Sequence, residues 1–246
     1  MPITAQSLPI LSDNYAWLLT DVGSGAVAIV DPADAAACTR AIEAVGGRLD
    51  LILITHHHDD HIAGVDDVRA RFKAPVVGAA ADAKRLPKLD QAVREGDSVK
   101  LGETSLQVID TPGHTVGHIA YYAPGGPGQP PVLIAADTLF SLGCGRLLEG
   151  TAADMFASLR KFAALPPETL VCCGHEYTQS NARFALHVDS GNTALQARAA
   201  EIGRQRAAGQ PTVPTTLGAE LAENPFMRAP DAAALGQIRS EKDSFR

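Results

Sequence analysis

Positive charge is in short supply in this chain. Its 21 Lys and Arg stand against 28 Asp and Glu, leaving 246 residues at a net charge of −7. A nucleic-acid binder needs a basic face to neutralise phosphates, so that class of partner is set aside. Long hydrophobic runs are missing too. None approaches the ~20 residues of a membrane span, and no membrane partner is expected. The opening residues, Met1-Pro-Ile-Thr-Ala-Gln6, carry neither the basic n-region of a secretory leader nor an Arg-rich presequence, so a cytoplasmic location is the expectation. Only four cysteines occur, Cys38, Cys144, Cys172 and Cys173, and none has C-x-x-C spacing. A disulfide framework is thereby excluded and a reducing compartment fits. Cys172 and Cys173 lie in a strand-like run and read as small core residues, as does Cys38 in an alanine-rich helical stretch. Repeats and low-complexity tracts are absent. What remains, with 46% hydrophobic and 20% charged residues, is an ordinary globular composition. The length suits one large domain, or one plus an appendage.

Against that plain background one stretch stands out. Between strand-like Leu51–Ile54 and a helix expected over 64–72 lies Thr55-His-His-His-Asp-Asp-His61, with four histidines and two aspartates in seven residues. Buried without partners, such groups would cost several kcal/mol each when charged. A divalent cation removes the difficulty, because neutral imidazole and carboxylate are natural ligands for it. In an extended segment His56 and His58 project to the same side and can share one metal. Asp60 and His61 follow where the chain turns into a helix and can be aimed at a second. The plainer explanation, a solvated His-rich loop, applies to clusters that have no partners elsewhere.

Here partners exist. Leu106-Gln-Val-Ile-Asp-Thr-Pro-Gly-His114 delivers His114 after a Pro-Gly turn. Pro131-Val-Leu-Ile-Ala-Ala-Asp137 delivers Asp137 at the end of an apolar run, and Leu170-Val-Cys-Cys-Gly-His175 delivers His175 after a strand and a glycine. One such segment is ordinary loop chemistry. Four in succession give five His and two Asp, enough for two metals with three ligands each and one shared carboxylate.

These motifs, T-H-H-H-D-D-H, G-H-T at 113–115, D-T-L-F at 137–140 and G-H-E-Y-T at 174–178, resemble the metallo-β-lactamase superfamily. More narrowly they resemble its glyoxalase II branch, the hydroxyacylglutathione hydrolases. H-x-H-x-D-H marks only the superfamily. The branch is narrowed by G-C-G-R (143–146), E-G-T (149–151), N-P-F-M-R (224–228) and R-S-E-K-D-S-F (239–245). The likeness runs from about Leu8 to the end of the chain.

The resemblance implies an α/β (α+β) chain, an αββα sandwich over residues 1–176 carrying the metals, with a small helical substrate-binding cap over 177–246. It assigns His56, His58 and His114 to one metal and Asp60, His61 and His175 to another, with Asp137 bridging; Asp60 and Asp137 take catalytic roles. All donors are N or O, which permits two zinc ions, or iron or manganese. Two such cations can hold a hydroxide between them and polarise a carbonyl oxygen. By the same likeness Arg146, Tyr177, Arg239 and Lys242 hold glutathione. Their charges suit its carboxylates, and four together outweigh the plainer explanation of solvated surface charge. The implied reaction is hydrolysis of S-(2-hydroxyacyl)glutathione, typically S-D-lactoylglutathione, by a monomer. A thiolate with pKa ~8.5 leaves largely unassisted, which suits a site with no evident proton donor.

Local pattern supports part of this. Asn14–Thr20 with 26–30, and 99–101 with 105–109, read as hairpins, and 118–122 pairs with 132–135. Helices are expected over 33–45 and 156–163. Beyond about Gln179 strand signals vanish, and 184–188, 194–208 and 231–241 read as helices. Hydrophobic periodicity alone reaches α/β and no further. Four positions depart from the branch pattern: Arg146 for a frequent lysine, Leu148 for tyrosine, Ala136 and Val65 for glycine. None removes a ligand. His57 and Asp59 point away from the ligands, His118 reads as a core histidine, His187 as surface and Trp17 as core. Asp31 reads either as a support for the ligand loop or as a turn residue. The competing activity is a single-iron glutathione-persulfide dioxygenase; a nuclease fits poorly with the acidic balance, and a non-catalytic module would be expected to have lost ligands.

Overall fold

Strands that are apolar throughout need cover on both faces, and the first part of the chain provides several. The computed structural model describes residues 2–245. It separates into two units, the first built from residues up to Asp110 with Gly117–Ile134, the second from Thr111–Val116 with residues from Ala135 onward.

In the first unit, β1 (Ile3–Ile10), β2 (Asn14–Asp21) and β3 (Val27–Val30) are antiparallel neighbours. After α1 (Ala35–Ala44) the chain adds β4 (Leu51–Leu53), which is parallel to β3. Next come α2 (Asp59–Ile62), α3 (Val65–Phe72), and the parallel strands β5 (Val76–Ala79) and β6 (Gln91–Val93). Every residue of β3, β4 and β5 is buried, as expected of a sheet covered on both sides. Asp34 starts α1 by accepting the Ala37 N–H at 2.9 Å, a cap that contributes about 1 kcal/mol. Cys38 and Ile42 of α1 and Val65 and Val68 of α3 then pack on Ile29, Ile52 and Ile54. A second, antiparallel set follows as β7 (Ser98–Leu101), β8 (Thr104–Asp110), β9 (Ile119–Ala123) and β10 (Val132–Ala136). The buried Tyr121 hydroxyl of β9 donates to Ile54 O at 2.9 Å, and Ile119 N–H to Thr55 O at 3.0 Å. Both bonds tie this set to the end of β4, where the His-rich stretch begins.

The second unit takes over within β10 at Ala135. It continues through the short hairpin of β11 (Leu139–Phe140) and β12 (Gly143–Cys144), α4 (Ala152–Ala163) and β13 (Leu170–Cys173). Then come α5 (Thr178–Val188), α6 (Thr193–Ala207), β14 (Thr215–Thr216), α7 (Leu217–Glu223) and α8 (Ala232–Ser244). Thr151 and Asp154 close a reciprocal capping box on α4. Leu142, Ala182, Ala185, Leu195 and Ile202 form a local core between α5 and α6. Among the described residues no helix is long and apolar enough to cross a membrane.

Two readings of the sequence are corrected here. Strand structure does not end before Gln179, because Thr215 and Thr216 pair with Val171 and Leu170. Two residues carry no alternation to detect, and their strand exists only because β13 offers an edge. Likewise β1 went unanticipated. Its interior residues are exposed or half-buried, so apolar periodicity never marked it, and its eight-residue register on β2 comes from backbone pairing.

Candidate metal centre

The first unit carries four of the seven predicted ligands in the six residues 56–61, shortly after β4. His56 and His61 are buried, while the Asp60 side chain is 45% exposed. The extended segment brings His56 and His58 together as expected: His56 Nε2 lies 3.1 Å from His58 Nδ1, with the rings edge-on. Asp60 Oδ2 lies 3.8 Å from His61 Nε2.

Three of these side chains, His56, Asp60 and His61, are aimed by a partner behind them. Asp31 accepts the Thr55 N–H at 2.9 Å, the Thr55 hydroxyl at 2.6 Å and His61 Nδ1–H at 3.0 Å. A hydroxyl has one proton, and Asp31 takes it. Thr55 Oγ1 therefore accepts from His56 Nδ1, 3.0 Å away. Protonation at Nδ1 leaves the Nε2 lone pairs of His56 and His61 as the ligand atoms. Asn14 donates to Asp60 Oδ2 at 2.9 Å and to Asp60 O at 3.1 Å. His118, buried as expected, stacks on His56 at 4.8 Å. Asp31 thus supports the ligand loop, and it does so from a left-handed backbone (φ +49°), a conformation that costs about 1 kcal/mol or more.

His57 is turned elsewhere, as predicted. Its Nδ1 meets the buried carboxylate of Asp82 at 3.2 Å, and Arg85 binds the other oxygen of that carboxylate. Gly117 makes room for the arrangement: a Cβ there would lie 2.1 Å from Asp82 Cγ. His187 is on the surface beside Glu241, and Trp17 is core.

The second unit brings its three predicted ligands together from three loops. Asp137 Oδ2 lies 3.5 Å from His114 Nε2 and 3.3 Å from His175 Nε2, and all three residues are buried. His114 Nδ1–H donates to Arg146 O at 2.9 Å, again leaving Nε2 for a metal. Gly145 is required for this approach, since a Cβ there would fall 2.0 Å from Asp137 O and 3.0 Å from His114 Cβ. Ala136, directly before Asp137, is held at φ +41°. His175 is stacked on Tyr177, centroids 4.6 Å apart and planes 5° from parallel, with Phe140 edge-on to both.

These residues fit a metal centre. Two ligands of one tetrahedral ion with bonds of ~2.0–2.1 Å lie about 3.3 Å apart, and the separations inside the two sets run from 3.1 to 3.8 Å. Three histidines carry their proton on the outward nitrogen, each on a hydrogen-bond acceptor, which is how metal-ligating histidines are held.

Next to the ligands of the second unit lies a cavity of about 440 Å³. Its walls include His114 and Asp137 and all four residues assigned to glutathione, Arg146, Tyr177, Arg239 and Lys242. Arg239 is buried, donating to Cys144 O at 2.9 Å and to Asp243 Oδ1 at 2.8 Å. Lys242 is half-buried and donates to Ser180 O at 3.2 Å, with the Phe184 and Phe245 rings 5.3 and 5.8 Å away. Burial and the neighbouring Arg239, Arg183 and Arg146 push the Lys242 pKa down to about 8. The Cys144 thiol in the wall is driven the other way, to about 12 by burial, so it stays an unreactive thiol at neutral pH. Arg146 is 73% exposed at its side chain, and Leu148 is exposed at the position noted as divergent. Reading the sequence missed Asn14, Thr55, Asp82 and Asp243. Thr55 and Asp243 adjoin the motifs and could have been weighed with them; Asn14 and Asp82 carry no local signal.

Comparison with known proteins agrees with this geometry. Residues 11–175 match the model of the metallo-beta-lactamase superfamily, and residues 176–245 that of the hydroxyacylglutathione hydrolase C-terminus. The chain is 57% identical over 242 residues to the hydroxyacylglutathione hydrolase of Acidiphilium cryptum, covering 98% of this chain and 97% of the relative. Among solved structures it is similar to ETHE1 from Myxococcus xanthus, with a TM-score of 0.72 at 25% identity, covering 99% and 92% of the two chains. It is also similar to TTHA1623 in a di-iron-bound form, with a TM-score of 0.62 at 26% identity, covering 91% and 99%.

Proposed function

The chain belongs to the hydroxyacylglutathione hydrolases of the metallo-β-lactamase superfamily, and on that premise we propose the chemistry of its site. It is a thioester hydrolase that cleaves S-(2-hydroxyacyl)glutathione, typically S-D-lactoylglutathione, to glutathione and D-lactate. The observation that carries this reading is a shared wall: the cavity holding Arg239 and Lys242 is bounded by His114 and Asp137. Anion recognition and metal ligation therefore meet in one space.

By the family pattern His56, His58 and His114 would hold one divalent cation, Asp60, His61 and His175 a second, and Asp137 would serve both. Zinc is the first expectation, iron or manganese the others; one similar solved structure is of a di-iron-bound form. Bound there, the cations supply a water of lowered pKa and polarise the thioester carbonyl. The chain's own residues do the rest. Asp31 keeps the proton of His61 on Nδ1, and Arg146 O does the same for His114. Arg239 and Lys242 are placed to grip the carboxylates of glutathione, with Tyr177 and the exposed Arg146 completing the wall. That grip orients the scissile carbonyl near Asp137, and the thiolate of glutathione leaves with little proton assistance. Residues 1–176 are taken as the catalytic part and 177–246 as the substrate-binding part. A cytoplasmic location is proposed, which suits four buried cysteines in the free state, and a monomer is proposed alongside it.

The test is an assay of S-D-lactoylglutathione hydrolysis with metal analysis of the same sample. Turnover with two metals per chain is expected. One metal in fully active protein, or oxygen consumption with glutathione persulfide, would instead support a single-iron dioxygenase.

A further inference from the structure

Asn224 is fully buried and does not line the cavity that holds Arg239, yet its amide bonds the residue before Cys144 and the backbone of Phe226; Cys144 and Phe226 are the two groups against which Arg239 rests. Its Nδ2 donates to Phe140 O at 3.2 Å and Gly143 O at 3.0 Å, the two ends of the β11–β12 turn. It also meets Glu220 Oε2 at 2.9 Å, and that same oxygen accepts Leu142 N–H at 2.8 Å inside the turn. Leu142 sits at φ +58°, so the turn is held in a conformation that a non-glycine residue resists. The residue after this turn is Cys144, whose carbonyl accepts the Arg239 Nη1–H at 2.9 Å. On its other side Asn224 Oδ1 accepts Phe226 N–H at 3.0 Å, and the Phe226 ring faces the Arg239 guanidinium at 5.2 Å. One buried amide therefore fixes both the carbonyl and the aromatic face against which Arg239 rests. Besides these, the guanidinium is held by Asp243 Oδ1, which accepts from Nη2 at 2.8 Å, while its buried Nε has no hydrogen-bond partner among the described residues.

We infer that Asn224 is a positioning residue for glutathione recognition, acting through Arg239. The inference deepens the function proposed above and rests on it. A bidentate contact between guanidinium and carboxylate is sensitive to shifts well under the length of a hydrogen bond. Loss of the Asn224 amide leaves the β11–β12 turn to its other bonds, among them those from Leu142 N–H to Glu220 and from Asn181 to Ser141 O, releases Phe226 N–H at the same time, and so shifts the surface on which Arg239 is aimed. The scissile carbonyl and the metal ligands are approached by other residues, so the loss falls on binding.

The experiment uses the metal-loaded enzyme and two substrates, S-D-lactoylglutathione and a thioester of a small thiol lacking glutathione. Asn224→Ala should raise KM for the glutathione thioester about tenfold, with kcat within about threefold and the small thioester unaffected. In an Arg239→Ala background the same substitution should add less than about twofold, because its effect passes through the missing guanidinium. A full tenfold effect in that background, or equal losses on both substrates, would overturn the inference. If Asn224→Ala fails to fold, Phe226→Leu decides, since it keeps an apolar filler and removes only the ring. A KM rise of about threefold confined to the glutathione thioester supports the inference, and an unchanged KM defeats it. Binding of S-methylglutathione, which has no acyl group to cleave, separates this claim from the proposed reaction. Wild-type enzyme that binds it tightly but does not hydrolyse S-D-lactoylglutathione defeats the reaction; unchanged affinity for it in Asn224→Ala defeats the positioning role.

Discussion

The two units hold their share of the ligands by different physical means. In the first, four ligands fall in six consecutive residues, and side chains hold them. Asp31 orders Thr55 and His61, Thr55 orders His56, and Asn14 orders Asp60. In the second, three ligands come from loops spread between residues 114 and 175, and the backbone does most of the holding. Arg146 O sets His114, Ala136 turns Asp137 inward at φ +41°, and Gly145 opens the space between them. The comparison teaches that a contiguous motif depends on a few outward hydrogen-bond acceptors. A dispersed set depends instead on the geometry of each separate turn.

The largest effect should come from the residue that the second unit cannot replace. Asp137→Asn keeps size and loses the negative charge that both His114 and His175 face. Loss of at least one metal and a fall in kcat of ~10²-fold or more are expected. Near-normal turnover with two metals bound would show that Asp137 does not bridge.

Next in size is a strike at the support of the first unit. Asn tolerates a left-handed backbone, so Asp31→Asn should fold at φ +49°. Its amide, however, would donate toward His61 Nδ1 and drive the ring proton to Nε2. Metal affinity or activity should fall about 10- to 100-fold. Competition with a chelator measures the first, and unchanged metal affinity would mean that Asp31 serves only the loop. By contrast, Arg146→Ala leaves the His114 acceptor intact, because that acceptor is a backbone carbonyl, and should leave metal content unchanged.

The pocket beside the second set gives a smaller, pH-dependent effect. Lys242→Ala should raise KM about 10-fold for a glutathione thioester and leave a small thioester nearly alone. Binding needs the charged lysine, and its pKa is lowered to about 8. KM should therefore be flat below pH 8 and climb above it, whereas Lys242→Arg should keep it flat. Stability runs the other way. Between about 8 and the ordinary lysine value of 10.5 the unfolded chain binds more protons, so this lysine favours the fold more as pH rises. A KM profile with no break near pH 8 would remove Lys242 from the site.

The smallest effect tests backbone strain. Ala136→Gly removes the Cβ penalty at φ +41° but adds freedom to the unfolded chain. The two terms are each below about 1 kcal/mol or close to it, so Tm should move by no more than a few degrees. A large loss of activity would mean that the Ala136 methyl itself shapes the site.

Legibility followed the same division. All seven candidate ligands could be named from the sequence because each is a His or Asp at or just beyond the end of an apolar run, a pattern set by covalent order alone. Arg239 and Lys242 were legible only through resemblance, since a charge on a helix looks like any other until a cavity is seen beside it. The two-residue β14 and the half-exposed β1 were invisible, because their strands depend on an edge offered by another part of the chain.

Composition, absence of cationic excess and the order of His and Asp along the chain determined the class of site: N and O donors suited to divalent cations in a globular protein. Those features are local, and they survive in any conformation. The choice of Nε2 as the ligand atom of His56, His61 and His114 was decided by tertiary structure alone, because a histidine's tautomer is set by what lies behind its other nitrogen. So was the part played by Asn224, which becomes meaningful only when Phe140, Gly143 and Phe226, up to 84 residues away in sequence, close around one amide. Long-range hydrogen bonds of that kind leave no trace in periodicity or spacing, because nothing in covalent order constrains which distant carbonyl a buried side chain will meet.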